Sequence, residues 1–351
     1  MSKTRTSKRK IAIGAVIAAL VLVLVWLGLR FIEGRFTKDE QFGDKGDWGA
    51  GSEEDDRLWL TFNGVDYYTT DDVHAYLLIG TDGSGKGGAV GYNGQLADFL
   101  AVVLIDKTTG KYAFLQLDRD TIAEVYVRDE DGNLVGTIEE QICTAHWYGL
   151  DEDQRNESTV LTVSGLLGGL PIDGYFTLNM KDIGRVNHAI GGVVIDFDED
   201  LTEIDPAFQK GATVLLDDKQ AEKFIRARMN VGDGTNQERM GRQRQYMQKA
   251  YNLVISQLRE NPDYINDLYF ELEDVIDSDL TDREVSVIAN DLCAYRSQGI
   301  LTFTGESKVG RRLDDGLEHA EFIVNESSIL GCMRKVVKLE ESHEDEEEAE
   351  E

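Results

Sequence analysis

The sequence predicts an α/β fold, a three-layer α/β/α sandwich with a mixed central sheet, behind one N-terminal transmembrane helix. Three observations lead there. From about residue 75 onward, apolar strand-like runs alternate with helix-like segments, the pattern of helices layered on a sheet. FLAVVLID and KYAFLQL are continuous apolar runs joined at Thr109-Gly110, so an antiparallel pair enters that sheet and makes it mixed. Ile11 to Leu29 is a 19-residue run without a charge, long enough to cross a bilayer core of about 30 Å.

The elements follow in order. Residues 1–10 hold Lys3, Arg5, Lys8, Arg9 and Lys10 and no acid, which makes them a cytoplasmic tail under the positive-inside rule. Residues 11–32 form the span. It is read as uncleaved because Arg30, Phe31 and Ile32 follow it rather than a small-residue cleavage site. Residues 33–57 are rich in Gly and acids and form a linker. The domain at 58–338, with a core at 71–338, therefore stands outside the cytoplasmic membrane. LWLTF and VDYY flank Asn63-Gly64, the signal for a hairpin with a primed turn. Ala75 to Ile79 is a strand, Thr81 to Ala97 a polar Gly-rich loop, and 98–117 the apolar hairpin. Glu139 to Trp147 and Ser158 to Leu167 have helical spacing. Tyr175 to Leu178, Val193 to Phe197 and Thr213 to Leu216 read as strands, and Met180 to Ala189 as a helix. Asp217 or Asp218 caps a helix running to Arg228. Further helices are expected at 263–274, 281–296 and 327–338, with a strand near 300–304. Residues 339–351 form an acidic, disordered tail.

Of 351 residues, 41% are hydrophobic, enough for a sizeable core, and the formal net charge is -30. That balance argues against nucleic acid as a partner, because a phosphate backbone is repelled. Cys143, Cys293 and Cys332 are widely spaced and show no metal-ligand pattern. One disulfide and three buried thiols remain equally open.

Against the acidic background, Phe224 to Tyr246 holds Arg226, Arg228, Arg239, Arg242 and Arg244 and no lysine. A planar guanidinium grips phosphate bidentately, whereas an ammonium is a point charge. Thr235-x-x-Glu238 is a capping box opening a helix, on which Arg239, Arg242, Gln243 and Tyr246 share a face. The window reads as a polyphosphate grip; its bland alternative is a solvated helix edge paired with nearby acids. Asp82 and Asp98 frame the Gly-rich loop at strand ends, where α/β sites form, and two such carboxylates can hold Mg²⁺. Arg119 in LDRDT sits at another strand end, and a guanidinium facing a metal suits a pyrophosphate. Gly80-x-x-x-x-Gly85-Lys86 nearly matches a nucleotide loop, but Gly87 stands where Ser or Thr is needed. No nucleophile motif is present and His74, His146, His188, His319 and His343 show no spacing to one, which fits direct transfer between two bound substrates.

Taken together, LLIGTD (77–82), LADFLAVVLID (96–106), LDRDT (117–121), TAHWYG (144–149), IDGYFTLNM (172–180), AIGGVVIDF (189–197), FIRAR (224–228) and NQERMGRQRQ (236–245) resemble, in this order, the LytR–CpsA–Psr family of cell-envelope proteins. The resemblance implies a Mg²⁺-dependent, membrane-anchored phosphotransferase. Such an enzyme moves an anionic glycopolymer, a teichoic acid or capsular polysaccharide, from an undecaprenyl pyrophosphate carrier to a peptidoglycan hydroxyl. Asp82 and Asp98 then match the magnesium-side acids. Arg119, Arg226, Arg228, Arg239 and Gln243 match the pyrophosphate-binding residues, with Arg119 and Arg239 acting in catalysis. The polyprenyl tail would enter an apolar tunnel, for which Ile142, Leu161, Leu167 and Phe224 are candidates. Two positions depart from the family pattern. Asp118 replaces the usual Pro, and Asn236 replaces an Asp, leaving Asp233 as the substitute base. A non-catalytic polyprenyl-phosphate-binding regulator or scaffold is the alternative, and a pyrophosphatase releasing the carrier is a third reading.

Overall fold

In the computed structural model of the chain, residues 57–82, 95–227, 236–261, 264, 268, 271–313 and 316–342 are described. The expected span at 11–32, most of the linker, the Gly-rich loop from 83 to 94, Arg228, Asp233 and the capping residue Thr235 lie outside them. So does half of the helix expected at 263–274. Among the described residues no helix is long and apolar enough to cross a membrane.

The chain opens with β1 (Leu58–Phe62) and β2 (Val65–Thr69), paired antiparallel. Asn63 and Gly64 both have positive φ (53° and 72°), the primed turn that Asn-Gly favours. β3 (Val73–Thr81), β4 (Ala97–Asp106) and β5 (Lys111–Leu117) form an antiparallel meander with Leu77 opposite Val102 and Val102 opposite Leu115. β6 (Ile122–Arg128) and β7 (Leu134–Gln141) make a separate hairpin, followed by a 3₁₀ helix at Ile142–Trp147. The helix expected over Glu139 to Trp147 is thus a strand end and a tight turn. Its apolar spacing belongs to Ile142 and Ala145, which are buried, whereas most of β7 is exposed and shows no readable alternation.

Helix α1 (Glu152–Leu166) starts earlier than its apolar spacing suggests, because Asp151 caps it by accepting the Gln154 N–H at 3.0 Å. β8 (Gly174–Asn179) leads through a 3₁₀ turn at Met180–Asp182 into α2 (Ile183–Ala189), so the helix expected from Met180 is split. β9 (Val194–Asp196) and β10 (Thr213–Leu215) form a short hairpin before α3 (Asp218–Arg226), whose N-cap is Asp217 in a capping box with Gln220. Then come α4 (Asn236–Glu260), β11 (Ile276–Ser278) and α5 (Asp282–Ala294), the last capped by Thr281 with Glu284. β12 (Arg296–Thr302), the hairpin β13 (Gly305–Gly310) with β14 (His319–Val324), and α6 (Glu326–Met333) follow. β15 (Glu340–Glu341) pairs with β2, and the Ser342 N–H donates to Asp66 O at 2.8 Å. The acidic tail expected from 339 is therefore ordered through 342.

The central sheet runs β11-β8-β3-β4-β5-β12. β3 with β8 and β5 with β12 are parallel, and the other neighbours are antiparallel, so the sheet is mixed as expected. Side chains alternate across it. Leu78, Phe99, Ala101, Val103 and Phe114 pack with Val186, Phe224, Ile225, Tyr246, Met247 and Ile288 from α2, α3, α4 and α5. Leu77, Ile79, Leu100, Val102 and Leu115 face Val163 of α1, Ile329 and Met333 of α6, and Leu60 and Phe62 of β1. Each such fully buried side chain contributes about 1.5–3 kcal/mol of transfer free energy. Phe224 belongs to the first core, where its ring stacks edge-on against Phe197 and Phe208 at 5.7 and 5.8 Å. Ile142 and Leu167 belong to the second. Phe224 is thus across the sheet from Ile142 and Leu167 and does not line one passage with them.

Gly80 marks the point where β3 approaches its neighbours most closely. A Cβ there would lie 2.8 Å from Met180 Sδ and 2.9 Å from Phe99 Cβ. Gly80→Ala is expected to lower stability by about 1–3 kcal/mol through overpacking, measured by urea denaturation with an unchanged slope. Wild-type stability in that variant would show that Met180 and Phe99 yield freely.

Candidate functional site

The C-terminal end of β3 and the N-terminal end of β4 meet at the neck of the Gly-rich loop. The backbone N–H groups of Asp82 and Asp98 both donate to Leu96 O, each at 3.1 Å. The Leu96 N–H returns to Asp82 Oδ1 at 3.3 Å. One carbonyl thus fixes both acids at the same rim of the sheet. Next to it β5 ends, and the LDRDT turn is held by Asp118. Its Oδ1 accepts the Asp120 N–H at 2.9 Å, and its carbonyl accepts the Thr121 N–H and hydroxyl at 3.0 and 2.6 Å. That turn aims Arg119 at Asp98.

Arg119 Nη1 donates to Asp98 Oδ1, while Arg239 Nη1 lies 3.4 Å from Asp98 Oδ2. One carboxylate is therefore held between two guanidinium groups. Asp98 and Arg119 side chains are 16% and 13% exposed and that of Arg239 5%, so water screens the contact little and each charge interacts strongly. Arg119 Nε is 3.3 Å from Asp120 Oδ1 but off the hydrogen-bond direction, and this buried N–H has no directional partner among the described residues. Beneath Arg239, Gln243 Oε1 accepts from Gln116 Nε2 at 3.2 Å, and Gln116 Oε1 accepts from Arg244 Nη1 at 3.2 Å. Gln243 Nε2 has no hydrogen-bond partner among the described residues although the residue is 1% exposed. A buried donor without an acceptor costs free energy, so Gln243 Nε2 is a position that calls for an explanation.

The predicted arginines do not all converge. Arg119 and Arg239 do. Arg226 pairs with Glu222 Oε1 at 2.7 Å, one turn back on its own helix. Arg242 shares a face with Arg239 but points its donors elsewhere, with Nε donating to Phe224 O at 3.1 Å and Nη2 donating to Ala227 O. It caps the C-terminus of α3 and ties the two helices together, where orphan carbonyls need donors. Burial lowers its pKa. Arg244 reaches Gln116 rather than the acids. Gln116 is the partner that sequence reasoning missed, and Asn236, read only as a lost acid, is a ligand of the Arg239 guanidinium. A Gln inside the apolar strand KYAFLQL was the available signal for the first.

The chemistry of the donor set suits a divalent cation. Two hard carboxylates at one rim, with water and phosphate oxygens to complete an octahedron, fit Mg²⁺, which rarely has an all-protein cage. Asp98 already accepts from two guanidinium groups, so it would share its charge with the ion. Among the described residues no group of three or more His, Cys, Asp or Glu could hold a metal. His146 is buried and bonded to Thr159 and Glu152 at 3.3 and 3.0 Å, as a core histidine should be.

The LytR_cpsA_psr family model matches residues 47–329. Among solved structures, protein gbs0355 from Streptococcus agalactiae superposes with a TM-score of 0.58 at 18% identity, covering 75% of this chain and 86% of that one. B. subtilis TagV gives 0.54 at 18% identity over 76% and 97%. TagT bound to LIIa-WTA gives 0.53 at 18% identity over 76% and 89%. At these identities the structures establish a shared fold. No curated protein matches.

All three cysteines are free: Cys143 and Cys332 are buried and Cys293 is exposed. Cys143 lies behind the site, its N–H donating to Arg119 O at 3.2 Å. Burial pushes its thiol up to about 12. A maleimide at pH 7.5 should therefore modify Cys293 alone in the native protein and all three in denaturant, read by intact mass. Rapid native labelling of Cys143 would mean that the floor of the site opens.

Proposed function

The chain belongs to the LytR–CpsA–Psr family, and from that premise we propose that it is a membrane-anchored glycopolymer phosphotransferase. It takes an anionic polymer from an undecaprenyl pyrophosphate carrier and joins it to a hydroxyl of peptidoglycan at the outer face of the cytoplasmic membrane. The observation that supports this reading most is the buried Arg119–Asp98–Arg239 cluster, with the buried Gln243 Nε2 lacking a hydrogen-bond partner among the described residues one turn along the helix from Arg239. Family members are glycopolymer transferases in general, and the likeness to TagT, solved with LIIa-WTA bound, supports a wall polymer as ligand.

In this reading Arg119 and Arg239 bind the pyrophosphate oxygens and take up the charge that builds as the acceptor hydroxyl attacks. One O–P bond forms to the acceptor while the P–O bond to undecaprenyl phosphate breaks. Asp82 and Asp98 would hold Mg²⁺, which supplies further positive charge on the non-bridging oxygens. Asn236 cannot serve as the base, since a neutral amide takes up no proton near neutral pH, and its oxygen accepts from Arg239 Nη2 at 2.6 Å. The acceptor proton is assigned to Asp233, with Arg228 completing the grip. Arg226 joins only by releasing Glu222. A binding-only regulator is the second reading, favoured by the amide at position 236.

Full-length protein with a lipid-linked pyrophosphate donor, Mg²⁺ and peptidoglycan fragments tests this. Arg119→Lys and Arg239→Lys keep the charge but lose the fork, and each should cut transfer by about 10²–10³-fold. Arg226→Ala should stay within about threefold, because a half-exposed intrahelical pair contributes little. Unchanged transfer in both Lys variants would remove the mechanism. Tight donor binding without turnover points to the regulator, and free phosphopolymer without acceptor to a pyrophosphatase.

A further inference from the structure

Asp118 and Asn236 form a buried contact that is not part of the phosphate grip itself. They are each 6% exposed and Arg239 is 4% exposed. Asn236 Nδ2 donates to Asp118 Oδ1 at 2.5 Å, and the neighbouring Gln237 Nε2 donates to Asp118 Oδ2 at 2.6 Å. On its other side, Asn236 Oδ1 accepts from Arg239 Nη2 at 2.6 Å and from Nε at 3.1 Å. Only an amide nitrogen can face a carboxylate and only its oxygen can face a guanidinium, so the orientation of this side chain is fixed from both ends. Both atoms of the amide are used.

We propose that Asp118 and Asn236 act as a coupled positioning pair: Asp118 sets the amide of Asn236 so that its oxygen holds the Arg239 guanidinium against Asp98. This rests on the reading of Arg239 as a pyrophosphate ligand. The contact also pins the first turn of α4 to the turn that presents Arg119, so the two arginines keep one spacing. A carboxylate at 236 would face the Asp118 carboxylate at hydrogen-bond distance, and two such buried groups cannot both be ionised. An acid at 118 therefore requires a donor at 236.

The charged groups around the pair are Asp120 on its own turn, Arg119 beside it, Arg239 on α4 and, beyond Arg239, Asp98 on β4. Burial chiefly raises the pKa of Asp118, opposed by the hydrogen bond from the Asp120 N–H, aided by the Asp120 charge, and opposed further by the Asn236 hydrogen bond and Arg239.

The test compares wild type, Asn236→Asp, Asp118→Asn and the double variant in the full-length protein, following transfer kinetics and thermal midpoint between pH 5 and 8. Asn236→Asp should lower kcat/KM about tenfold or more at pH 7.5. The loss should shrink toward pH 5, where one of the two acids takes a proton and becomes a donor. The double variant places the amide at 118 and the acid at 236, restores one donor between them, and should return to within about threefold of wild type. Wild-type kinetics in Asn236→Asp at every pH, or a double variant no better than Asn236→Asp, would overturn the pair. So would a loss of thermal midpoint with a flat pH profile of kcat, the mark of a merely structural contact. The thermal midpoints need no substrate. Should wild type show no transfer, the functional reading fails while a pH-dependent midpoint in Asn236→Asp, corrected in the double variant, still upholds the pairing itself.

Discussion

The site depends on one carboxylate, Asp98, shared by two guanidinium groups that arrive from positions 21 and 141 residues away in sequence. Burying three charges is unfavourable unless each is paired and hydrogen-bonded, and apolar residues of the same volume would stabilise the fold as well or better. The cluster is therefore poorly explained as a stabilising device. Under the proposed function it is charge kept out of water for an anionic ligand. The sheet rim makes this possible, since the end of β3, the start of β4 and the end of β5 lie side by side, with Asp82 and Arg119 just past β3 and β5 and Asp98 at the register shift between β3 and β4.

Helix α4 divides its arginines between two kinds of work. Arg239 faces the acids, and one turn later Arg242 spends its donors on Phe224 O and Ala227 O at the end of α3. That tether holds the C-terminal end of α3 against α4. Arg244 supports Gln243 through Gln116. A row of identical side chains on one helix thus resolves into an acid-facing group, a helix cap and a relay.

Much of the fold was readable because its signals are local. The Asn63-Gly64 hairpin, the 98–117 hairpin and the cap at Asp217 rest on a few adjacent residues, and each stands where those residues put it. Two hairpins went unread. β6–β7 turns through Asp129, whose carboxylate gathers the N–H groups of Asp131 and Asn133, but β7 is mostly exposed and has no apolar alternation. β13–β14 is exposed along β13 and docks by a backbone bond, Phe322 N–H to Asp120 O at 2.8 Å, which no side-chain pattern announces.

By itself the sequence determined the layered α/β architecture, the two acids flanking the glycine-rich loop, and an arginine-rich window in an acidic chain. Residue type and short-range spacing suffice for those. Which arginines meet Asp98, which ones cap a neighbouring helix, and why Asn236 accompanies Asp118 were decided by the tertiary structure alone. Guanidinium groups look alike in sequence, and their roles are set by which acceptors lie within about 3 Å once remote segments pack together.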